Sequence, residues 1–224
     1  MSARTRANWF KANTTRKCSH LPCNNRRRRP SGYCSRHERN SRLHGHPEGA
    51  ALDMKVVASY RKHIVQFLDR HADTPQVQAA VSLCADWLKA DGYALPGTAV
   101  AEQAQRFKLE GITPRELLDQ VGAIFAMAFH QSRDFPTSKR LLFAIGYALL
   151  RICKLPQKEY WNNRGKQATR PRVLGAVVRR EIGGHFHKAL STFFANALDV
   201  LEREHRRTVD RNVTLAKPFD TPSS

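Results

Sequence analysis

The chain has 224 residues, with 38 Lys and Arg against 19 Asp and Glu, a formal charge of +19 and 41% hydrophobic residues. That is enough apolar content for a core, but no apolar run reaches the ~18 residues a membrane span needs, so a membrane protein is excluded. The basic N-terminus carries no apolar segment of the kind a secretory signal has, and the charge excess points to a polyanionic partner.

The charge is concentrated in two places. Residues 1–46 hold 12 Lys and Arg and a single acid, Glu38, while residues 151–180 hold nine and one, Glu159. The stretches 47–150 and 181–224 are each neutral. Charge added for solubility would be scattered, whereas two basic windows form an electrostatic footprint for nucleic acid.

Residues 1–17 read as a basic arm. Next comes Cys18-x4-Cys23-x10-Cys34-x2-His37. A structural Zn²⁺ takes four soft or borderline ligands in a tetrahedron, and short spacings bring each ligand pair together at a tight turn. Gly32 supplies a turn residue just before Cys34, and His37 closes the set at the start of a helix. The insert, with Arg26, Arg27, Arg28 and Arg29, is too polar to build a core. The metal therefore supplies the folding free energy, on the order of 10 kcal/mol. His20, His44 and His46 are alternative fourth ligands, but none is paired to a cysteine as closely as His37 is to Cys34. The remaining cysteines, Cys84 and Cys153, fall on apolar helical stripes and read as small buried hydrophobes. Five cysteines, an odd number, point to a reducing, cytoplasmic setting.

The segment from Cys18 to Pro47, with Cys18-Ser-His-Leu-Pro-Cys23, Ser31-Gly-Tyr-Cys34-Ser-Arg-His37, Arg39 and Leu43-His-Gly-His-Pro47, resembles the small zinc module found beside phage HNH endonucleases. The resemblance covers about 30 residues. It implies zinc and DNA contact for this segment and nothing for the rest of the chain. Two positions depart from the family pattern: the insert is longer and more basic, and His46 stands where Asp is usual.

A nuclease site is not legible downstream. The later histidines all fall in or at the ends of expected helices. None leads into a hairpin with a following Asn-x-x-His, and no carboxylate pair suits two-metal phosphoryl chemistry. Nucleotide-binding glycine motifs and nucleophile elbows are absent too.

The body reads as about six helices. Val56, Val57, Tyr60, Ile64, Phe67 and Leu68 mark one over about 52–71. Thr74-Pro75 opens a second, anchored by Trp87 and stopped at Gly92. A weaker helix spans 97–109. Thr113-Pro-Arg-Glu116 is a capping box for a helix along Leu117, Val121, Ile124, Phe125 and Phe129. Pro136-Thr137-Ser138 opens another, ended by Pro156. Residues 171–206 make one long helix or two, broken near Gly183-Gly184, with Leu174, Val177, Val178, Ile182, Phe186, Leu190, Phe193, Phe194, Leu198 and Leu201 on its stripe. A helix-turn-helix from 113–131 and 137–153 is unsuitable, because its second helix is too apolar to face a groove.

The second basic window reads as a loop near 154–172. Lys158, Tyr160, Trp161, Arg164, Lys166, Arg170 and Arg172 combine phosphate-neutralising charge with aromatics able to stack on bases. Arg179 and Arg180 continue it onto the last helix. Tyr160 lacks the Arg-His-Arg or three-His surroundings of a covalent recombinase or relaxase.

The expectation is thus a mainly α protein: a basic arm at 1–17, a zinc-binding module at 18–47, an all-helical domain at 52–206 and a tail at 207–224. One structural Zn²⁺ would be held by Cys18, Cys23, Cys34 and His37. DNA would be met through Arg26, Arg27, Arg28, Arg29, Arg36, Arg39 and Arg42 and through the second window. The function expected is non-catalytic DNA binding or transcription regulation for a bacterial or mobile element. A metal-dependent HNH-like endonuclease and an RNA-binding ribonucleoprotein component are the alternatives. The helical domain leaves room for a homodimer or a protein partner.

Overall fold

The computed structural model describes residues 15–27, 32–95, 97–153, 157–161, 167–171 and 175–215, with the backbone alone at 157–161, 167–171 and 205–215. In chain order its elements are α1 (Ser35–His44), α2 (Met54–Arg70), α3 (Pro75–Lys89), α4 (Ala99–Leu109), α5 (Pro114–His130), α6 (Ser138–Leu150), β1 (Gln157–Trp161), β2 (Gln167–Pro171) and α7 (Ala176–Leu215). The protein is therefore mostly helical, with α1 beside the N-terminal cysteines and six helices in the body.

Local signals set the helix starts. The Thr113 hydroxyl accepts from the Glu116 backbone N–H while the Glu116 carboxylate accepts from the Thr113 N–H, a complete capping box with Pro114 in the first turn. Thr137 caps α6 through the Arg140 N–H, and Asp53 caps α2 through the Lys55 N–H. Thr74 precedes Pro75 as expected, but its hydroxyl donates to the His71 carbonyl instead of capping α3.

One face of each of α2–α7 is buried in a common core. Trp87 of α3 packs against Phe107 of α4 and Phe186 of α7, with ring centroids 6.1 and 5.0 Å apart. Phe125 of α5 stacks on Phe194 of α7. Cys84 and Cys153 are buried here, and burial pushes each thiol up to about 12, which makes both inert. Two residues of the expected stripes lie outside this core. Phe129 and Val177 are 49% and 54% exposed, because each sits at the flank of its apolar face.

α7 is one continuous helix, and it runs nine residues past the expected end at 206. Gly183 does not break it. A Cβ at Gly183 would lie 1.7 Å from the Leu142 carbonyl oxygen, and one at Gly146 would lie 2.0 Å from the Arg179 carbonyl oxygen. The two glycines let the backbones of α6 and α7 touch where the helices cross, so Gly183 serves packing rather than termination. The described part of the segment expected as a basic loop forms paired strands: β1 and β2 run antiparallel, with Gln157 opposite Pro171 and Trp161 opposite Gln167. These five-residue strands carry no apolar alternation, so their pairing leaves no period-2 signature in the sequence.

Neighbouring glycines in α7 should respond oppositely to alanine. Gly183→Ala forces a methyl into the α6 backbone and should cost about 3 kcal/mol in urea unfolding. A Cβ at Gly184 meets nothing within 4 Å, so Gly184→Ala should stabilise by about 0.5–1 kcal/mol through helix propensity. Equal losses at both positions would show that the crossing is not tight.

Candidate metal centre and its docking

Two short backbone pairings build the cysteine knuckle. Lys17 and Arg26 bridge antiparallel, the Cys18 N–H donates to the Asn25 carbonyl, and the Cys23 N–H donates to His20. This folds Cys18 and Cys23 onto one side of a tight turn. The Ser19 N–H donates to the Gly32 carbonyl, and a Cβ at Gly32 would lie 3.0 Å from the Ser19 hydroxyl. A small residue there allows the second cysteine segment to close against the first. Cys34 then stands at the N-cap of α1, one helical turn before His37.

The ligand atoms of Cys18, Cys23, Cys34 and His37 all lie within 4.8 Å of one another. Cys18 Sγ is 3.3 Å from His37 Nδ1, and Cys23 Sγ is 3.9 Å from Cys34 Sγ. A tetrahedral ion with bonds of about 2.3 Å to sulfur and 2.0 Å to nitrogen requires separations of about 3.5–3.8 Å, so the four donors suit one metal ion with small adjustments. Among the described residues this is the only group of three or more His, Cys, Asp or Glu so arranged.

The surroundings prepare the donors. The Cys34 backbone N–H donates to Cys18 Sγ at 3.2 Å. Burial, with His20 and Arg36 nearby, lowers the pKa of His37 and so favours the neutral imidazole that ligation requires. The other histidines of the module lie outside the four-donor cluster. His20 lies edge-on to His37, with centroids 4.5 Å apart, and its Nε2 is 2.8 Å from Glu48 Oε1. His46 Nδ1 accepts the Glu48 backbone N–H, the turn contact an Asp carboxylate would make. His44 is half-buried, and burial together with Arg140 and Arg179 lowers its pKa.

The module is seated on the body through the carboxyl end of α1. Gly45 ends α1 in the left-handed conformation, φ 78°, and a Cβ there would lie 2.6 Å from the Lys139 carbonyl oxygen. Two buried arginines complete the seat. Arg140 of α6 donates to the His44 and Ala50 carbonyls at 3.2 and 2.8 Å, and Arg179 of α7 donates to the Leu43 carbonyl at 3.3 Å. They are only 5% and 8% exposed. Arg179 is therefore a structural residue and not the nucleic-acid contact its place in the second basic window suggests. The role of Arg140 left no sequence signal, because nothing in an arginine beside an apolar stripe says which way it turns.

The expected contact residues divide into several groups. Arg36, Arg39 and Arg42 are exposed on the outer side of α1, and none of their side chains hydrogen-bonds or ion-pairs with a described residue. Arg26 is exposed beside the knuckle. Arg27 is tied inward, donating to the Lys17 carbonyl and the Ser19 hydroxyl at 2.7 Å each. Lys158, Tyr160, Trp161 and Arg170 lie on the paired strands β1 and β2 by their backbone positions. Arg28, Arg29, Arg164, Lys166 and Arg172 lie outside the described residues.

Cys34→Ser should abolish metal binding, read as metal per chain, while far-ultraviolet ellipticity falls only slightly because α2–α7 keep their own core. Loss of helicity throughout would show that the body depends on the metal. Arg140→Met strands the His44 and Ala50 carbonyls and should loosen α1 by about 3 kcal/mol, seen as roughly hundredfold faster amide exchange in α1 with α5 unchanged. Compared with known proteins, the chain matches no family model, no curated protein and no solved structure, so the geometry of this centre and its seat must carry the functional reading.

Proposed function

We propose that the protein is a zinc-containing, non-catalytic DNA-binding protein of the transcription-regulatory kind. Three thiols and an imidazole at these spacings suit Zn²⁺, which would be held by Cys18, Cys23, Cys34 and His37 as a structural ion that fixes the fold of the module. The observation that carries the reading is the outer face of α1. Arg36, Arg39 and Arg42 follow one another at three-residue spacing, exposed and without carboxylate partners among the described residues. Unpaired arginines on a helix anchored in a metal module bind phosphate and base edges well and lose little by giving up intramolecular contacts. Exposed Arg16, Lys17 and Arg26 extend the basic surface along the knuckle. The resemblance of residues 18–47 to the zinc module beside phage HNH endonucleases supports the same reading.

Binding to a labelled mixed-sequence duplex across a salt series tests it. Affinity should fall steeply with salt, and R36A/R39A/R42A should weaken binding about a hundredfold at fixed salt. R26A/R28A/R29A, which spares the inward-turned Arg27, should reduce the salt slope by about 2–3. Salt-independent binding or none would overturn the proposal. Cleavage of the duplex on adding a divalent metal would return the chain to the endonuclease alternative.

A further inference from the structure

We infer that α1 is a major-groove helix, so that the partner is B-form duplex DNA entered by Arg36, Arg39 and Arg42, an inference that rests on the nucleic-acid reading above. The argument begins with how α1 is held. At its amino end Cys34 and His37 belong to the four-donor cluster. At its carboxyl end the Leu43 and His44 carbonyls are gripped by Arg179 and Arg140. A short helix fixed at both ends is rigid, and rigid elements present side chains with the precision that base-edge contacts require.

The geometry of the helix then selects the surface it can meet. On a helical projection the buried His37 and half-buried His44 and Ser41 fall on one side, and Arg36, Arg39 and Arg42 occupy the opposite arc together with Ser35 and, at its carboxyl end, the half-buried Leu43. Ten residues span about 15 Å, and a helix with its side chains is about 10–12 Å across. The B-DNA major groove is about 12 Å wide and admits such a helix; the deep, narrow major groove of A-form RNA does not. Arginines three residues apart also rise along the helix by about 4.5 Å per step, close to the spacing of successive base pairs once the helix tilts in the groove. The single acid of the helix, Glu38, lies off the arginine arc. Arginine is the side chain that reads guanine O6 and N7 bidentately in that groove.

The test compares one mixed-sequence duplex in four forms: unmodified, with every cytosine carrying a glucosylated 5-hydroxymethyl group that fills the major groove, unmodified but with netropsin occupying the minor groove, and as an RNA duplex. The full chain, metal-loaded, should bind the groove-filled duplex at least about tenfold more weakly than the unmodified one, and netropsin should change binding less than about twofold. R36A/R39A/R42A should bind the filled and unmodified duplexes equally, with metal content and ellipticity confirming its fold. The wild-type comparison decides the matter even without that variant. Equal wild-type binding to filled and unmodified DNA overturns the inference and leaves nucleic-acid binding standing. Loss of binding to netropsin-occupied DNA, or tighter binding to RNA, overturns it in favour of another surface. No binding to any form overturns the proposed function and this inference together.

Discussion

Two guanidinium groups buried without a carboxylate hold the structure's two parts together. Arg140 and Arg179 meet backbone carbonyls at the carboxyl end of α1, where unsatisfied oxygens and the helix dipole concentrate partial negative charge. Each guanidinium also lies over an aromatic ring, Arg140 over Phe135 at 5.6 Å and Arg179 over Tyr147 at 5.2 Å. Burial lowers both pKa values from the usual arginine range, though a guanidinium stays protonated in proteins. A charge in such a place costs stability unless its donors are used, and here the donors satisfy carbonyls that the ended helix would otherwise strand.

That arrangement depends in turn on the glycine crossing. Gly146 lies against the backbone of Arg179, so the contact that brings α6 and α7 together also places Arg179 within reach of α1. Arg140, near the start of α6, reaches the same helix end from its neighbour. A side chain at Gly146 or Gly183 would push the two helices apart and separate two groups that must converge on adjacent carbonyls. This close helix crossing thus bears on the position of a helix in the module.

Arginine serves two opposite purposes within a short distance. Arg140, Arg179 and Arg27 have their donors committed to carbonyls or a hydroxyl of the chain. Arg36, Arg39 and Arg42 have none committed among the described residues, and their exposed setting makes that inexpensive because water satisfies them. Net charge counts both kinds alike. Only the first kind contributes to the fold, and only the second is free to meet an outside partner.

What the amino-acid sequence determined by itself are the features written in local chemistry. Cysteine and histidine spacing named the four residues whose side chains cluster as a candidate metal site, because side chains three to five residues apart are brought together by a single turn. Threonine, proline and glutamate at 113–116 named the start of α5, since a capping box closes within four residues. Apolar period marked the body helices and the burial of Cys84 and Cys153. Tertiary structure alone decided the rest. Whether Gly183 interrupted α7 or admitted α6 depended on a partner helix some 40 residues away, which local propensity cannot register. The paired strands at 157–161 and 167–171 rest on backbone pairing that polar strands do not advertise. Which arginines turn inward was settled by where α1 ends against α6 and α7, a meeting of residues about 100 and 140 positions apart that no local pattern encodes.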